Sequence, residues 1–91
     1  MKLTIEEMKK RNAAQGQFWF TKGAMEFFNT KIESEPSEKG CFITSEYMED
    51  PSKKRYTIRF FDQEKNTVET IGDFREYETL KDAKGALHHV G

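Results

Sequence analysis

Arg55-Tyr56-Thr57-Ile58-Arg59-Phe60-Phe61 is the stretch on which the fold turns. Tyr56, Ile58 and Phe60 share one face, while Arg55, Thr57, Arg59 and Phe61 share the other, which is the two-residue period of a strand. Upstream, Cys41-Phe42-Ile43-Thr44-Ser45 is a second β-branched and aromatic run, followed by the turn cluster Glu49-Asp50-Pro51-Ser52. Pro51 breaks any continuation there. Downstream, residues 62–66 form a polar connection of hairpin length. A third strand follows over 67–74, with Val68, Thr70, Gly72 and Phe74 on one side. The pattern predicts an antiparallel meander of strands near 41–46, 54–61 and 67–74.

Helical signals flank these strands. Thr4-Ile5-Glu6-Glu7 fits a capping box, and the helix it opens runs to about Ala14, with Gly16 as a stop. Its apolar face is thin (Leu3, Ile5, Met8, Ala13), so residues 1–15 are expected to form a peripheral helix beside a compact core over 18–91. After Phe18-Trp19-Phe20, Thr21 is a candidate N-cap, and Ala24, Phe27, Phe28 and Ile32 recur on one helical face. Residues 33–40 read as an exposed loop holding Pro36. Thr79-Leu80-Lys81-Asp82 resembles a second capping box, and Leu80, Ala83, Leu87 and Val90 mark a final helix weakened by Gly85. The expected architecture is one α+β domain over 1–91: a three-stranded antiparallel meander packed by helices, in the order α-α-β-β-β-α. The last two helices cover one sheet face. The other face carries Arg55, Arg59, Phe61 and Glu69.

With 91 residues, the chain can build a core without disulfides, although apolar residues make up only 35% of it. Eight Phe, three Tyr and Trp19 supply the buried area. The net charge of −1 argues against both a dedicated polyanion binder and an acidic nucleic-acid mimic. Cys41 is the sole cysteine, so neither a disulfide framework nor a thiolate metal cluster is expected. The start turns acidic at once and lacks an apolar run, and no stretch reaches membrane-spanning length. The expected location is the cytoplasm, with no membrane partner.

Candidate chemistry is sparse. His88 and His89 are adjacent, point about a quarter turn apart on a helix, and cannot readily share a metal. Cys41 opens a strand between Gly40 and Phe42, where a small thiol packs as an ordinary apolar residue. No nucleophile elbow surrounds Ser45, and Gly23 and Gly40 form no phosphate-cradling loop. No enzymatic activity, metal or cofactor is expected.

Two leads concern binding. In the run from Lys53 to Phe61, Lys54, Arg55, Arg59 and Phe61 could contact phosphates and stack bases from a sheet face. The competing reading pairs Arg55 and Arg59 with Glu69 and Asp73 across the hairpin. Among Phe18, Trp19 and Phe20, not all can face one core. Trp19 is therefore a candidate anchor for a partner, or the three divide between the core and a cover provided by the first helix.

From Phe18 to about Leu87 the chain resembles small proteins of unassigned function encoded by bacteriophages and other mobile elements. The similar stretches are Phe18-Trp19-Phe20, residues 25–32 and 42–46, Arg55 to Phe60, and residues 70–79. The resemblance implies an origin in a bacterial host's mobile DNA and carries no functional residue with it. Such proteins commonly bind a macromolecule, often to block a host defence enzyme. The leading expectation is therefore a non-catalytic binding protein acting through protein–protein contacts, an anti-defence inhibitor being one form of it. The alternative is a nucleic-acid-binding accessory protein using the basic and aromatic sheet face. A homodimer is a third reading.

Overall fold

A computed structural model describes residues 3–27 and 29–90, apart from the Val90 side chain. Phe28 and the Val90 side chain, both assigned above to helical stripes, lie outside the described residues. The elements are α1 (Ile5–Ala14), α2 (Lys22–Phe27), β1 (Lys31–Ile32), β2 (Cys41–Glu46), a 3-10 helix (Pro51–Lys53), β3 (Arg55–Asp62), β4 (Thr67–Ile71) and α3 (Leu80–Val90). The class is α+β, as expected, but the sheet has four antiparallel strands in the order β1-β2-β3-β4 instead of three. The order is thus α-α-β-β-β-β-α, with a 3-10 turn between the second and third strands.

The extra strand comes from residues assigned above to the second helix. That helix stops at Phe27 because Asn29 takes a left-handed conformation at φ 51°. The Thr30 N–H closes the end by donating to the Met25 carbonyl at 2.6 Å, the six-to-one bond of a Schellman turn. Lys31 and Ile32 are then free to pair with Ser45 and Thr44. Two residues are too few to show an alternating pattern, so this strand leaves no trace in the sequence.

The third predicted strand also ends early, at Ile71 rather than Phe74. Gly72 at φ 76° and Arg75 at φ 58° turn the chain. It returns to β3 through the Tyr56–Tyr77 bridge, whose two backbone hydrogen bonds measure 2.8 and 3.0 Å.

Register decides the two faces. Ile43 lies opposite Ile58, which in turn lies opposite Ile71, while Phe42 lies opposite Arg59, which lies opposite Thr70. One face therefore carries Cys41, Ile43, Ser45, Tyr56, Ile58 and Phe60. There α3 inserts Ala83, fully buried, against Ile43 and Tyr56, with Leu80, Leu87 and Tyr77 around it.

The second face carries Phe42, Thr44, Glu46, Thr57, Arg59 and Phe61, and it is covered as well. Leu3 and Met8 pack on Phe42 and Phe61, flanked by Ile5, Trp19, Phe20, Ile32 and Val68. The first helix is thus part of the core. Its capping box forms in both directions, Thr4 N–H to Glu7 at 3.0 Å and Glu7 N–H to Thr4 Oγ1 at 3.2 Å. Asn12, buried, gives Nδ2–H to the Asn66 carbonyl at 2.7 Å and accepts the Trp19 N–H at 3.2 Å. One polar side chain thereby ties α1 to the aromatic segment and to the β3–β4 turn. Its apolar stripe is short, but Met8 is fully buried, and that burial holds the helix down.

Candidate binding cleft

Arg59 enters the covered face from the middle of β3, and three neighbours hold its guanidinium. Nε–H donates to Thr44 Oγ1 at 3.2 Å and Nη1–H to Thr70 Oγ1 at 2.5 Å. Nη2 lies 3.6 Å from Oε1 of Glu46, which is fully buried. Thr57 donates its hydroxyl to the same Glu46 oxygen at 2.5 Å and accepts the Arg75 N–H at 2.9 Å. Burial pushes the Arg59 pKa down, and Glu46 opposes that shift. The guanidinium carbon sits 5.5 Å from the Trp19 ring centroid and 5.4 Å from that of Phe74, within cation–π range.

Above this network lies a cleft of about 550 Å³ lined by Trp19, Ala24, Met25, Phe27 and Phe74, with Arg59, Thr30 and Thr70 as its polar groups. It exists because α2 has no buried residue. The face read from the sequence as the core side of this helix looks outward instead: Ala24 is exposed and Phe27 is 77% exposed. Trp19 is half-buried, edge-on to Phe20 at 4.8 Å and to Phe42 at 6.1 Å. Phe18 is the member of its aromatic trio left outside, at 67% exposure.

The five residues singled out from the sequence do not form one surface. Trp19 and Arg59 meet in the cleft. Phe61 is fully buried against α1, so it offers no ring for stacking; α1 covers the sheet face expected to be open. Lys54 and Arg55 lie at the far end of β3, Lys54 over the Tyr56 ring at 5.9 Å and Arg55 paired with Glu78 at 3.3 Å. The anticipated partner Glu69 sits opposite Phe60, on the face away from Arg59. Glu46, Met25, Phe27, Thr70 and Phe74 were not singled out as site residues. Glu46 was legible in principle, since pairing the two central strands in register puts it on the face of Arg59.

Elsewhere the chemistry is quiet. Burial pushes the Cys41 thiol up, which favours the unreactive protonated form. His88 and His89 are exposed at the end of α3. Among the described residues no three His, Cys, Asp or Glu side chains could hold a metal together, and no helix is long and apolar enough to cross a membrane.

A family model matches residues 4–88, and the chain belongs to that family, a family of unknown function (DUF7447). No curated protein and no solved structure matches the chain.

Proposed function

We propose that this family member is a non-catalytic binding protein whose cleft takes an apolar side chain of a protein partner. The observation that supports this most is α2 itself, which buries none of its residues yet presents Phe27 and Met25 over a cleft floored by Arg59. Burying one such aromatic on association contributes roughly 1.5–3 kcal/mol. Arg59, fixed by Thr44, Thr70 and Glu46, is ready to donate to an acceptor beside the incoming anchor. Pre-organisation of this kind spares the partner the entropy of ordering the site.

The resemblance to phage and mobile-element proteins extends the reading to such an origin, to a bacterial host protein as partner and to an anti-defence role. The test is parallel affinity capture from host lysate with the wild type and Phe27→Ser, each checked for an unchanged melting temperature. A partner recovered by the wild type and lost with Phe27→Ser supports docking in the cleft. Equal recovery by both, or recovery of nucleic acid alone, contradicts it.

A further inference from the structure

At the opposite end of β3 lies a second concavity, about 450 Å³, lined by Ser52, Lys53, Lys54, Arg55, Arg75 and Glu78. We infer that it is an anion site for a phosphate group, independent of the aromatic cleft. The fold builds it through the Tyr56–Tyr77 bridge, which brings the 75–78 segment alongside the start of β3. Four cations thus converge on one carboxylate in a chain whose net charge is −1.

Arg75 carries most of the argument. Its backbone is held left-handed at φ 58°, a conformation that non-glycine residues seldom adopt. The Thr57 hydroxyl fixes its N–H at 2.9 Å, and Nη2–H donates to the Lys53 carbonyl at 3.1 Å. With its backbone and Nη2 restrained in this way, Arg75 keeps its guanidinium on the wall of the concavity, where a guanidinium can donate to an oxyanion.

The other groups divide clearly. Among the described residues neither Lys53 nor Lys54 forms an ion pair; the Lys54 ammonium lies over the Tyr56 ring, an exposed contact that leaves its N–H donors open to an anion. Glu78 is engaged by Arg55 and is 74% exposed, so it can swing away from an incoming anion. Ser52 contributes little, because its N–H and hydroxyl both donate to Asp50 Oδ1, at 2.9 and 2.8 Å. A tetrahedral phosphate, with several acceptor oxygens, suits donors arriving from three side chains better than a planar carboxylate does.

Amide NMR titration with inorganic pyrophosphate at constant ionic strength tests the site. Saturable shifts confined to residues 52–56 and 74–78 are expected, with binding weakened roughly tenfold in Lys54→Gln and in Arg75→Gln, the loss of one charged donor. Lys54→Gln guards against Arg75→Gln failing to fold, since the Lys54 side chain is exposed. In a second arm, a short single-stranded oligonucleotide that displaces pyrophosphate from these amides assigns the phosphate to a nucleic-acid backbone. Pyrophosphate binding without oligonucleotide binding assigns it to a free phosphate compound. Shifts that do not saturate, that spread over the whole chain, or that a glutamate-rich peptide reproduces equally overturn the inference.

Discussion

The Glu46 carboxylate and the Arg59 guanidinium lie 3.6 Å apart on the covered sheet face, with the Thr44–Thr57 pair between them in the register. The two side chains are 0% and 10% exposed. Removing one partner leaves the other charge buried alone, so Glu46→Ala or Arg59→Ala should each cost about 3–5 kcal/mol. Replacing both by alanine should cost clearly less than the sum of the two single losses. A double-mutant cycle by chemical denaturation measures the coupling, and additive costs would show that the pair does not interact.

Asn12 joins three segments through two hydrogen bonds, and its two ends need different chemistry. Asn12→Ala orphans the Asn66 carbonyl and the Trp19 N–H, a loss of roughly 1–3 kcal/mol. Asn12→Asp should be at least as harmful. Its carboxylate can still accept from Trp19 but cannot donate to Asn66, and it brings a charge into the core. Thermal unfolding of the two variants checks the order.

Gly85 stands inside α3, where an added Cβ would meet nothing within 4 Å. The close packing that could have required glycine there is absent. Gly85→Ala should therefore stabilise the protein by about 0.5–1 kcal/mol, read as a rise in the denaturation midpoint.

Cys41 links stability to alkaline pH. Its folded pKa is raised above the ordinary 9.0 by burial, so the unfolded thiol ionises first. Its contribution is complete below pH 9 and declines as pH rises through 9.0 toward the folded value. The stability difference between wild type and Cys41→Ala, followed across that range, should narrow with rising pH. A thiol reagent should modify native Cys41 slowly and the unfolded chain quickly.

The sequence made the central strands, the capping box of α1, the Thr79 cap and the final helix readable, because each rests on a local period or a fixed spacing. Thr79 does cap α3, accepting the Asp82 N–H at 3.1 Å. What it concealed depended on tertiary partners. The apolar spacing of Ala24 and Phe27 looked like a core face, yet periodicity cannot say whether a stripe meets the sheet or faces outward. The thin stripe of α1 looked peripheral because Asn12, a polar residue, completes its buried contact. Of the site, Trp19 and Arg59 came from residue type. Glu46 and Thr70 required the strand register, Phe74 the turn at Arg75, and Met25 and Phe27 the outward set of α2.

The cleft beside Phe27 is proposed to receive a protein partner, and site-specific photocrosslinking in cell lysate tests this most directly. A photoreactive phenylalanine analogue would replace Phe27 in one sample and Lys81, exposed on α3, in another. The account predicts a discrete protein adduct from position 27, suppressed by unlabelled wild type, and no such adduct from position 81. Indistinguishable adduct patterns from the two positions, or none from position 27, would contradict it.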